Sequence, residues 1–148
     1  MSTATAVDYR DEDFARSVAT YFVDIDAADL NAMQQDGATA IVDLAGEYEA
    51  MGCSVNTALK AKVLGRLSDI QVRDYALGIH NAENIEAYWT MWKELLRIAP
   101  VGYVAPIASI FAAVAYESGQ GALAHKALDR CLLYTSPSPR DRQKSRMP

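Results

Sequence analysis

Cysteine and histidine are scarce in this 148-residue chain, with two of each. Cys53 and Cys131 stand alone, with no CxxC pair. Isolated thiols build neither a disulfide framework nor a zinc motif, so a reducing, cytoplasmic location is expected. His80 and His125 lie far apart in sequence, without metal-ligand spacing, and no metal is expected. No apolar run approaches the roughly 18 residues needed to span a bilayer. Residues Met1 to Arg10 carry no apolar h-region, so no secretory signal is expected. Dinucleotide-binding GxGxxG, Walker, GxSxG, HExxH and EF-hand patterns are all absent, and no cofactor is expected.

Half of the residues are hydrophobic, enough for a real core, and the length suits one domain. The net charge is −5 and unevenly spread. Residues 132–148 hold Arg140, Arg142, Lys144 and Arg146 against Asp141 alone, which leaves the body acidic. An acidic body repels phosphate, so neither nucleic acid nor an anionic membrane is an expected partner.

Residues 1–10 are small and polar and read as a disordered N-terminus. Asp11 or Asp13 opens a short helix that places Phe14, Val18, Tyr21 and Phe22 on one face. Asp26 is the expected N-cap of the next helix. Leu30, Met33, Gly37, Ile41, Leu44, Tyr48 and Met51 then recur at steps of three and four. Asp36-Gly37 is a turn dipeptide in isolation, yet the phase is unchanged across it. One continuous helix is therefore expected, with Gly52 as its left-handed stop. Leu59, Val63, Leu64 and Leu67 mark the inner face of a helix over 55–67, with Lys60, Lys62 and Arg66 facing out.

Ser68 and Gln71 have capping-box spacing ahead of Val72, Tyr75, Ala76 and Ile79. Asn81 is placed to cap a helix over 82–98 that carries Ile85, Tyr88, Trp89, Trp92, Leu95 and Leu96. Met91 and Ile98 widen its apolar face, so it should pack on two neighbours. Pro100 ends it, and Pro106 should occupy the first position of the next helix. There Ala108, Ala112 and Ala115 flank a larger face of Ile107, Ile110, Phe111 and Val114. Ser118 to Gly121 reverses the chain into a last helix with Leu123, Ala124, Ala127 and Leu128. The expected architecture is all-α: an antiparallel helical bundle of about six helices over 11–131. It closes with a tetratricopeptide-like helical hairpin, but no 34-residue repeat marks an array. Residues 132–148 have no periodicity and read as a disordered tail. The string from Cys131 resembles translated sequencing-adaptor sequence, so the tail is expected to be non-native.

The segment from Leu67 to Arg130 carries Val72-Arg73-Asp74, Trp89 and Trp92 on one helix, and Ala99-Pro100. Its closing run holds Ala105-Pro106, Gly119-Gln120-Gly121-Ala122-Leu123-Ala124 and Ala127-Leu128-Asp129-Arg130. It resembles the C-terminal half of the actinobacterial domain-of-unknown-function family numbered 4192. The resemblance implies a bacterial or phage origin and a fragment of a larger protein, without an α/β N-terminal half. It implies no activity.

His80 with Glu83, and Asp74 nearby, is the acid–base candidate, although a histidine at an interhelix joint often only satisfies a helix end. His125 and Asp129 read as a surface pair at i,i+4. Cys53 reads as a buried structural thiol. Tyr88, Trp89 and Trp92 form a possible interaction surface, weighed against plain core at helical spacing. Arg73 and Asp74 are candidates for a buried pair. No catalytic set is assembled, and the balance favours a non-enzyme. The reading is a protein-interaction or regulatory module, its partner another protein or the missing half of the parent chain. The alternative is part of an enzyme whose catalytic segment is missing.

Overall fold

Apolar side chains at steps of three and four line one face of a helix and must bury it against another element. In the computed structural model, which describes residues 12–117, this produces six helices and no strand among the described residues. They are α1 (12–20), α2 (Leu30–Met51), α3 (Thr57–Arg66), α4 (Ile70–Gly78), α5 (Ile85–Ile98) and α6 (Val104–Glu117). α2 packs against α3, α4 and α5, while α6 closes on α5 and α4. The all-α bundle is as expected. None of these helices is long and apolar enough to cross a membrane. The expected closing helix with Leu123 and Leu128, the His125–Asp129 pair and the tail all lie outside the described residues.

α2 runs unbroken through Asp36-Gly37, and Gly37, Ile41, Leu44 and Tyr48 are buried along it. It stops where Gly52, at φ 75°, donates its N–H back to the Tyr48 carbonyl at 2.8 Å. Met51, the last residue of the helix, is exposed although the stripe pointed it inward. Asp26 is not the N-cap. Its own N–H is taken by Asp24 Oδ1 at 2.9 Å, which holds it in a turn, and the helix begins after Asp29.

Gly37 marks a close approach. A Cβ there would meet Arg66 Cβ at 2.9 Å and the two Val72 methyls at 3.0 and 3.1 Å. Helix propensity favours Gly37→Ala by about 1 kcal/mol, but overpacking a filled contact costs about 1–3 kcal/mol. The packing term should win. Gly37→Ala is expected to lower the urea midpoint, by about 1 kcal/mol in stability, although the helix is continuous. An unchanged or raised midpoint would show that Val72 and Arg66 yield freely.

The polar side chains of α3 do more than face out. Lys62 and Arg66 reach Asp36 on α2 at 3.1 and 3.0 Å. Burial works against the Asp36 carboxylate, but the two cations outweigh it and hold its pKa below the ordinary value. Arg66 also donates to the Tyr21 carbonyl at 3.2 Å and lies over the Tyr21 ring, tying the end of α1 to α3. Lys60 crosses to Glu94 on α5 at 3.1 Å. The helix itself starts later than expected, because Asn56 accepts the Leu59 N–H and Val55 is left outside, exposed. Along α1, Val18 is buried, whereas Phe22 is 56% exposed and Val23 buried in its place. α1 ends at residue 20, so the helical phase no longer applies to Phe22.

Asp69, not Ser68, caps α4. Its Oδ2 accepts the N–H groups of Gln71 and Val72 at 2.9 and 3.2 Å. A carboxylate is the stronger acceptor at a helix N-terminus, which leaves the Ser68 hydroxyl to accept the Val23 N–H at 2.9 Å. Asn81 does not cap α5: its Oδ1 accepts from Glu83 and Asn84 and holds 82–84 in a turn, so α5 starts at Ile85 with Asn84 at the N-cap, three residues later than expected. The wide apolar face of α5 is covered by α2 and α6, and Met91, Trp92 and Leu95 are fully buried. α6 begins two residues before Pro106. Pro106 is still among the first four residues, whose N–H groups have no intrahelical acceptor. Ala108, Ala112 and Ala115 are buried as the small flank.

Candidate functional site

A groove opens where α4 crosses α2. Asn31, Gln34, Gln35 and Ala38 line it from α2, and Gln71, Val72 and Tyr75 from α4. Its volume is roughly 320 Å³. The α2 residues fall at i, i+3, i+4 and i+7, a second face beside the core stripe. Its walls are tied together by Asp69, which is 3% exposed. Besides capping α4, Asp69 accepts from Gln34 Nε2 at 3.2 and 3.1 Å, so one buried carboxylate ties both helices together. No lining residue carries a charge. Gln34 spends its amide nitrogen on Asp69, while the carboxamides of Asn31, Gln35 and Gln71 and the Tyr75 phenol offer both donors and acceptors. Tyr75 is 43% exposed, and Ile70 and Leu77 lie exposed on the same helix. The sequence reading placed Tyr75 on the inner face and passed over the amides. Their spacing on α2 was visible, but nothing in the sequence showed that α4 faces them.

The candidates read from the sequence lie elsewhere. His80 follows the end of α4 and accepts a hydrogen bond from Trp92 Nε1 at 2.9 Å, with its ring edge-on to Tyr88 and Trp92. Glu83 and Asp74 are exposed, and the bond to Trp92 occupies the nitrogen that a catalytic base would use. Tyr88 and Trp92 are buried in the core, at 3% and 0% exposure. Only Trp89 keeps an outer edge, under the Lys93 ammonium and against Phe111. Burial raises the Tyr88 hydroxyl to a pKa of about 12.

Cys53 is exposed, not buried: it falls in the bend after Gly52, past the end of α2. Arg73 and Asp74 form no buried pair. Asp74 is exposed, and Arg73 donates instead to the Ser68 carbonyl at 3.2 Å.

One polar cluster was not anticipated. Tyr48 donates to Glu94, and Lys60 pairs with the same carboxylate oxygen. Burial, then the Glu94 carboxylate, push the Tyr48 hydroxyl far above its ordinary pKa. Burial alone would raise Glu94, but Tyr48 and Lys60 hold it below its ordinary value. The three groups satisfy one another across α2, α3 and α5, which makes the cluster a structural clasp. Among the described residues no group of three or more His, Cys, Asp or Glu side chains is arranged to hold a metal ion.

The model of the family described as Domain of unknown function (DUF4192) matches residues 2–137, and the chain belongs to that family. The match extends on both sides of the segment 67–130 that carried the resemblance. No curated protein and no solved structure matches the chain.

Proposed function

We propose that this domain is a protein-interaction module that holds an extended segment of a partner protein, or of its own parent chain, in the α2–α4 groove. The observation that carries this reading is an open, uncharged groove lined by carboxamides on walls fixed by buried Asp69. Amide side chains match the alternating donors and acceptors of an extended backbone. Tyr75 supplies a large, stiff contact surface of the kind that anchors interfaces. The acidic body argues against a nucleic-acid partner, and a free, exposed Cys53 suits a reducing, cytoplasmic setting.

Selection of random dodecapeptides on the domain tests the reading. Peptides that enrich should bind the double variant Gln71→Ala, Tyr75→Ala about tenfold or more weakly, since two contacts of about 1 kcal/mol each are lost. Both side chains are exposed, so the fold should survive, and circular dichroism checks this. Peptides that bind the double variant as tightly as the parent would refute the groove.

A further inference from the structure

His80 accepts the hydrogen bond of a buried indole, and this fixes its protonation state. Nε2 can accept from Trp92 only without a proton of its own, so the neutral ring carries its hydrogen on Nδ1. We propose that His80 is a proton-operated latch between α4 and α5: protonating Nε2 sets one donor against another, breaks the bond to Trp92 and frees the α4–α5 connection from the core.

The geometry makes the conflict unavoidable. Trp92 is fully buried, so its N–H cannot turn to water when the acceptor is lost. An orphaned buried donor is costly. The His80 ring is also wedged edge-on against Tyr88, with centroids 5.0 Å apart, so it cannot easily rotate to offer its other nitrogen. That nitrogen, Nδ1, is itself buried and makes no hydrogen bond of good geometry. The connection leaving His80 has a second tie, Asn84 Nδ2 to the Ile79 carbonyl at 3.4 Å, a long and weak bond. Asn81 and Asn84 bond to each other within the turn that leads into α5, at 2.8 and 3.0 Å, whereas the Trp92–His80 bond ties the joint to a fully buried core side chain.

The groups around the ring set the direction of the response. Burial lowers the pKa of His80. Glu117 on α6 and the Leu77 carbonyl on α4 oppose this, since both favour the charged ring. Tyr88 on α5 faces the ring uncharged, its hydroxyl pKa raised by burial and by Tyr75 and Glu49. The unfolded chain therefore takes up the proton before the folded one does. The stabilisation from neutral His80 is complete above the ordinary value of 6.5. It is lost as pH falls from there through the lower folded value.

The experiment follows the Trp92 indole N–H and the histidine ring protons by NMR from pH 8 to pH 4.5. Trp89→Phe and His80→Gln assign the signals. In the parent chain His80 should titrate below 6.5, and the Trp92 indole signal should shift or broaden at the same midpoint. His80→Gln keeps a neutral acceptor, so its Trp92 signal should not respond and its urea midpoint should fall less between pH 7 and pH 5. Trp92→Phe removes the donor, and His80 should then titrate at higher pH than in the parent. This second variant carries the test if His80→Gln does not fold. A Trp92 indole that ignores the titration of His80, or equal acid sensitivity in the parent and His80→Gln, would overturn the proposal. So would a His80 midpoint unmoved in Trp92→Phe.

Discussion

Gly65→Ala should cost about 3 kcal/mol, at the upper end of what overpacking does. A Cβ at this position would stand 2.4 Å from the Val18 carbonyl oxygen and 2.6 Å from Tyr21 Cβ. Neither neighbour can turn aside as a long side chain tip does. The carbonyl is backbone, and the Tyr21 Cβ sits at the root of its side chain. Relief requires α1 to lift off α3. That would separate Tyr21 from Arg66 and uncover Val18, which is fully buried. Better helix propensity at position 65 returns only about 1 kcal/mol. For a domain of this length each kcal/mol moves the melting temperature by about 4 °C, so a fall of about 10 °C is expected. Thermal unfolding followed by circular dichroism reads it. A loss below about 1 kcal/mol would mean that α1 does not sit against Gly65 in solution.

Trp92→Ala should be as damaging, by a different route. Trp92 is the largest fully buried side chain, packed between the layers that α2 and α6 lay over α5. Truncating a buried tryptophan to alanine costs about 3–5 kcal/mol, through lost transfer energy and an unfilled cavity. Domains are commonly stable by only about 5–15 kcal/mol, so this variant should be marginal at 37 °C. The partner bond is lost too, but His80 is only half-buried and can find water, so the cavity dominates. Urea unfolding monitored through the remaining Trp89 measures the loss. Trp92→Phe keeps most of the volume and should lose clearly less. Equal losses in the two variants would locate the cost in the hydrogen bond.

The helices were legible because burial of one helical face is a local rule. Ile41, Leu44 and Tyr48 keep phase through Gly37, and α2 is continuous there. The double-sided face of α5 was visible in the same way, as was its need for two neighbours. The caps were less so. Ser68 and Asp69 are adjacent and both are good cap residues, and only their neighbours separate them. Gln34 donates to Asp69, while the Val23 N–H donates to the Ser68 hydroxyl. Cys53 was misread because apolar character says nothing about a residue one step past a helix end.

The candidate groove was out of reach of sequence reading. Asn31, Gln34 and Gln35 look like an ordinary solvated flank until α4 is set across them. The same holds for the bond between His80 and Trp92, twelve residues apart, and for the clasp of Tyr48, Lys60 and Glu94. The amino-acid order settled what is local: among the described residues, six amphipathic segments, most of their phases, and the all-α class that follows from burying one face of each. The approach of helix on helix settled the rest. It hangs on Gly37 and Gly65, and a helical glycine reads the same in a sequence whether or not another helix touches it. Those two contacts set α3 and α4 against α2, and α1 against α3. Partner choice is a matter of distances of about 3 Å, set by packing across the whole domain, which no stretch of chain encodes alone.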